Sequence, residues 1–69
     1  PRRAVILKLI AEKGPITQAQ IAKALNMSWG QVQWHLYVLE REGKVRRVVK
    51  NGVTYYVVAT APLESLPDL

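Results

Sequence analysis

The chain has 69 residues, 49% of them hydrophobic, and no cysteine, which leaves room for one small core and excludes disulfides and thiolate metal sites. Ten Lys and Arg against five Asp and Glu give a formal charge of +5 and a pI of about 10, which favours an anionic partner and says little about fold. Nothing resembles a signal peptide, and the longest apolar stretch, Ala4 to Ala11, is short and broken by Lys8, so the expectation is a cytoplasmic protein with no membrane partner. A start at Pro1 without Met suits a piece of a longer protein.

Arg2 to Lys13 suit a first helix, with Ile6, Leu9, Ile10 and Lys13 at three-and-four spacing and Gly14-Pro15 forcing a stop. Val5 and Leu7 widen its apolar side, a surplus suited to another chain or a further segment. A six-residue signature then occurs twice, eleven residues apart: Ile16-Thr17-Gln18-Ala19-Gln20-Ile21 and Met27-Ser28-Trp29-Gly30-Gln31-Val32. In each copy a hydroxyl residue can accept from the unpaired N–H groups of a helix start. A Gln three residues on can reach back, and an apolar pair brackets the box. A second helix is therefore expected over Gln18 to Leu25, leaving through Asn26 in the left-handed conformation. Ile21, Ala22 and Leu25 share one of its sides, and small Ala22 allows close approach of the next helix. A third helix is expected from Trp29 to about Glu42, closed by Gly43.

Past Gly43 the pattern becomes that of strands, Lys44 to Val49 and Val53 to Val58, joined by Asn51-Gly52, both of which accept positive φ. The two-residue turn fixes the register: Lys50 with Val53, Val48 with Tyr55 and Arg46 with Val57 on one face; Val49 with Thr54, Arg47 with Tyr56 and Val45 with Val58 on the other. The pattern does not decide which face lies on the helices. The expected organisation is one domain over 1–59 and a tail over 60–69, whose Leu63, Leu66 and Leu69 suit either a docked helical turn or a linker. The fold class is α+β, mainly α: three helices and a two-stranded antiparallel wing, a winged helix-turn-helix. The helix-turn-helix motif is mostly used to place its second helix in the major groove of DNA.

The run from Leu25 to Val45 resembles winged-helix regulators of the ArsR and MarR type. It has a turn, a Ser cap at Ser28, Val32, the His35-Leu36 pair, Leu39 and a closing Gly43-Lys44-Val45; Ile21-Ala22 upstream and Tyr55-Tyr56 downstream fit as well. The likeness spans Arg3 to Val58 and is more specific for fold than for function, since winged helices also serve as protein-docking modules. It implies a double-stranded DNA partner and assembly, as a homodimer or within a larger parent protein, through segments outside the winged core. It also places His35 on the half-buried side of the third helix in a structural hydrogen bond. Many ArsR relatives sense metals through Cys or His clusters; one His without Cys cannot build such a site, so no metal or cofactor is expected.

At about 100° per residue, Val32, Leu36 and Leu39 define the buried side of the third helix. The opposite side carries Gly30, Trp34, Tyr37 and Arg41, with Gln31, Gln33 and Val38 at its margins. Trp34 meets a macromolecular partner or packs under the wing or tail. A Gln carboxamide can pair bidentately with adenine, which makes Gln33 the preferred base reader. Gln31 divides between that role and the capping box. No Lys or Arg lies on the first three turns, so readout should lean toward A·T, through Gln–adenine pairs and ring contact with thymine methyls. Ser28 and Gly30 offer a bare helix N-terminus to a phosphate. Arg46, Arg47, Lys50 and Asn51 would carry the wing onto the backbone or minor groove, the bland alternative being a solvated basic surface. No nucleophile, base and orienter coincide and no phosphate loop is present, so catalysis is not expected. The rival function is a protein-interaction winged helix of a replication or membrane-remodelling assembly, docking through Trp34, Tyr37 and Val38.

Overall fold

The computed structural model describes residues 2–60. Among these, the order is α1 (Arg2–Lys13), α2 (Gln18–Leu25), α3 (Trp29–Arg41), β1 (Val45–Lys50) and β2 (Val53–Val58), the three helices and antiparallel hairpin of a winged helix. The tail from residue 61 onward, with its leucines, lies outside the described residues.

Both helix starts are built as the doubled signature requires. Thr17 Oγ1 accepts from the Gln20 N–H at 3.1 Å while the Thr17 N–H donates to Gln20 Oε1 at 2.9 Å. Ser28 Oγ accepts from the Gln31 N–H at 3.2 Å, and the Ser28 N–H donates to Gln31 Oε1 at 3.0 Å. The flanking Ile16, Ile21 and Val32 are in the core, with Met27 packed against it. The helix ends also match each other. Asn26 (φ 53) donates to the Lys23 carbonyl and Met27 to that of Ala22 at 3.0 Å; Gly43 (φ 74) donates to Glu40 at 3.0 Å and Lys44 to Leu39 at 2.9 Å. These paired bonds form a Schellman end, which satisfies carbonyls that the helix leaves exposed. They shift two expected boundaries by one residue: Glu42 has already left α3, and the Lys44 N–H, bound to Leu39, leaves β1 to begin at Val45.

The hairpin has the expected register at all six pairs, from Val45–Val58 to Lys50–Val53, and turns through Asn51 (φ 53) and Gly52 (φ 77). Its face toward the helices is the one with Val45 and Tyr56, which join Ile6, Ile10, Ile16, Ile21, Val32, Leu36 and Leu39 in one cluster. In α1 the buried side is narrower than its spacing suggests. Ile6 and Ile10 are buried, Leu9 is only partly so, and Lys13 is exposed in the last turn, where a cation suits the carbonyl end of the helix. Val38 differs in the other direction: expected at an exposed margin, it is 4% exposed. α3 packs against α1, α2 and β1, so its buried arc exceeds a single stripe.

The α1–α2 connection contributes an element with no sequence signature. Ile16 exchanges both backbone hydrogen bonds with Tyr56, N–H to O at 3.1 Å and O to N–H at 2.7 Å, adding a one-residue third strand beside β2. Just before it, a Cβ on Gly14 would stand 2.5 Å from the Ile10 carbonyl oxygen and 3.1 Å from that of Tyr56. Both neighbours are backbone and cannot swing aside. Gly14→Ala is therefore expected to destabilise the fold by about 1–3 kcal/mol, read from the urea midpoint, as overpacking of a closed site does.

His35 ties α3 to α1. Arg3 Nε–H donates to His35 Nδ1 at 3.2 Å, and because a guanidinium only donates, the imidazole is neutral with its proton on Nε2. Burial, then the Arg3 charge, then the Arg2 charge hold its pKa below 6.5. A depressed folded pKa means that this contribution is full above the unfolded value and is lost as pH falls through the folded one. Lowering pH from about 7.5 to about 5 should reduce the unfolding midpoint of the parent more than that of His35→Gln, which can accept from Arg3 without titrating.

Candidate nucleic-acid interface

The outward side of α3 is assembled from Gly30, Gln33, Trp34, Tyr37 and Arg41, all exposed. At about 100° per residue they fall within one arc of roughly 100°, opposite the buried Val32, Leu36 and Leu39. Trp34 and Tyr37 are 55% and 52% exposed and stack on each other with centroids 5.8 Å apart and planes 27° apart. The Arg41 guanidinium lies over the Tyr37 ring, 5.5 Å from its centroid, so Trp34, Tyr37 and Arg41 form a continuous strip. Trp34 does not pack under the wing. Val38, grouped with these rings in the docking alternative, is buried and absent from this surface.

Gln31 and Gln33, alike in sequence, are placed differently. Gln31 Oε1 holds the Ser28 N–H, so its carboxamide cannot present acceptor and donor together to an adenine without opening the capping box. Gln33 is exposed, within the arc, and outside that box. At the helix start, Ser28 is exposed, and a Cβ on Gly30 would meet no atom within 4 Å. The first turn of α3 is thus open to close approach.

The hairpin lies along one edge of this arc. Arg47 Nε–H donates to Glu40 Oε2 at 2.7 Å, joining β1 to the margin of α3 beside Gln33. Near the other end of the hairpin, Gly52, Val53 and Thr54 line a cleft with Gln18 and Trp29, and the Gln18 side-chain amide donates to the Trp29 carbonyl at 3.2 Å. The hairpin tip therefore stands beside the starts of α2 and α3. Lys50 and Asn51 are exposed at that tip, whereas Arg46 is half-buried on the sheet face opposite Val45. Tyr56, lining the same cleft, has its phenol pKa pushed up by burial and by Glu40, with Arg47 opposing, so it stays protonated at neutral pH.

Three features of the site carry no legible signal in the sequence. Trp29 is 57% exposed at the first position of α3, although an aromatic next to a cap reads equally well as core. Glu40 and Arg47 meet across the helix-to-strand junction, and Arg3 reaches His35 from 32 positions away. Ten cations face three carboxylates among the described residues, since Glu64 and Asp68 belong to the segment beyond them. Two of the three, Glu40 and Glu42, are paired with Arg47 and Lys44. Among the described residues no group of three His, Cys, Asp or Glu could hold a metal, and no helix is long and apolar enough to cross a membrane.

The family model for winged helix-turn-helix DNA-binding domains matches residues 5–46, more than half of the chain, from α1 through the helix-turn-helix into β1. No curated protein matches the chain. With the matched segment carrying both capping boxes, the exposed arc of α3 and the first residues of the wing, the chain belongs to the winged helix-turn-helix DNA-binding family.

Proposed function

We propose that the chain is a sequence-preferring double-stranded DNA-binding module of a transcriptional regulator, with α3 in the major groove and the hairpin on the adjacent backbone. The observation that carries this reading is the single exposed arc of Gly30, Gln33, Trp34, Tyr37 and Arg41, bordered by the wing at its Glu40 edge. A helix presented in this way, with cations at its periphery, can enter a groove about 12 Å wide while its flanks meet the phosphates. In this arrangement Gln33 reads a base edge, Ser28 and Gly30 admit the sugar-phosphate backbone at the helix start, and Arg41, Arg46, Arg47, Lys50 and Asn51 face the backbone. Gln31 serves mainly to hold the cap. The module acts by binding, with no catalytic step.

With about four to six of Arg2, Arg3, Lys23, Arg46, Arg47 and Lys50 reaching phosphates together, log K should fall against log salt with a slope of about −4 to −5. Reading and anchoring then separate. Gln33→Ala should remove about 1–3 kcal/mol of discrimination between preferred and random duplexes and leave the salt slope intact. Lys50→Ala should weaken all duplexes alike and flatten the slope by about one unit. Both are read by fluorescence anisotropy over a salt series. A slope near zero for the parent would remove the basis of the DNA reading.

Gly30 gives an opposed pair of readouts. With open space around its Cβ position, Gly30→Ala should gain up to about 1 kcal/mol in stability from helix propensity. The same methyl stands where the nucleic-acid backbone approaches, so duplex affinity should fall while the melting temperature rises. A variant that is both more stable and fully active would place the backbone elsewhere.

A further inference from the structure

We propose that the stacked Trp34–Tyr37 pair is a methyl-reading site, taking the C5-methyl group of thymine in the major groove. The proposal rests on the duplex-binding reading above and names the chemical feature which that surface selects. An exposed Trp and Tyr stacked on each other, with a guanidinium over the second ring, form a pre-ordered apolar surface and not two independent side chains. Its surroundings restrict what it can recognise. From Trp29 to Glu40 the helix carries no Lys or Arg, so the bidentate contact to guanine is missing there. Gln31 has its acceptor held by the cap, which leaves Gln33 as the carboxamide of this arc.

A major groove offers hydrogen-bonding edges and one apolar feature, the thymine methyl, which projects from C5 into the groove. Two rings next to a single carboxamide match an adenine edge beside thymine methyls. The positive charge lies around this patch and not within it, on Arg41 at its end and on the hairpin and α2 at its sides, as an anionic duplex requires. Each methyl removed from water against the rings accounts for about a threefold to fourfold change in affinity, so contact with one or two methyls amounts to about threefold to fifteenfold.

The test replaces every thymidine of an A·T-rich duplex with deoxyuridine, which deletes the methyl and keeps every base-pairing group. Anisotropy titrations of the parent protein should show about threefold to fifteenfold weaker binding to the uridine duplex with an unchanged salt slope. In Trp34→Ala and in Tyr37→Ala, each checked for parental helicity by circular dichroism, that ratio should fall to near one. Equal affinity of the parent for both duplexes, with the salt slope retained, would overturn methyl reading and leave the duplex-binding function standing. A ratio that persists in both variants would overturn its assignment to these rings. Absence of salt-dependent binding to either duplex would overturn the DNA reading itself, and methyl reading with it.

Discussion

Ile16 and Tyr56 exchange a pair of backbone hydrogen bonds, and the placement of the wing relative to the helices depends on that exchange. A two-stranded hairpin alone is marginal in water. Here its second strand is pinned to the residue that precedes the Thr17 cap, so the start of α2 and the middle of β2 occupy one fixed spot. Ile16 is also 6% exposed and packs with Ile21, which makes it at once a ladder residue, a staple residue and a core residue. Gly14 is what lets the chain come this close, since its missing side chain is the space through which the Ile10 and Tyr56 carbonyls approach. A change at this corner therefore acts on helix capping, core packing and wing angle together.

At the same level of the hairpin, where Arg47 pairs with Tyr56, the first strand meets α3 through charge. Arg47 and Glu40 make their contact on a surface where such pairs contribute little stability, the two side chains being 59% and 35% exposed. Its consequence is electrostatic. Glu40 sits at the rim of the α3 arc, where a bare carboxylate would repel phosphate; paired, it is neutralised locally and the wing is held against the helix. In the proposed reading Arg47 is then partly withdrawn from the anchoring cations, and its contribution to DNA affinity is tied to the state of Glu40.

The capping boxes, the Gly14-Pro15 stop and the Asn51-Gly52 turn are local signals, and they make the bounds of α1 and α2 and all six hairpin pairs legible in the sequence. Each depends only on residues within a few positions of one another, for which backbone chemistry is nearly independent of tertiary context. What was not legible is non-local. The Ile16–Tyr56 bridge spans 40 positions and uses only backbone atoms, so no side-chain pattern announces it. Val38 is buried although the helical wheel sets it aside, because the wheel counts one buried face and α3 touches three elements. Within the candidate site, the exposed pole of Trp34, Tyr37 and Arg41 followed from periodicity. The stacking of the first two and the withdrawal of Arg47 by Glu40 needed three-dimensional distances.

The chemistry of the surface divides between a centre and a rim. The centre of the α3 arc holds rings and one carboxamide; the rim holds the guanidinium and ammonium groups. In the proposed reading, cations at the rim supply affinity that any duplex can satisfy and that salt erodes. In the same reading, groups at the centre supply discrimination that salt leaves alone, because a methyl or an adenine edge is read over van der Waals or hydrogen-bond distance. A domain of this size cannot devote separate surfaces to the two tasks. With the charge on the wing and at the end of α3, that reading keeps strong, indiscriminate attraction apart from the groups that would tell bases from one another. The cap explains why the centre can stay uncharged: with Ser28 and Gln31 satisfying the first turn internally, α3 needs no side chain from its outward face to hold itself together, and that face is left to the partner.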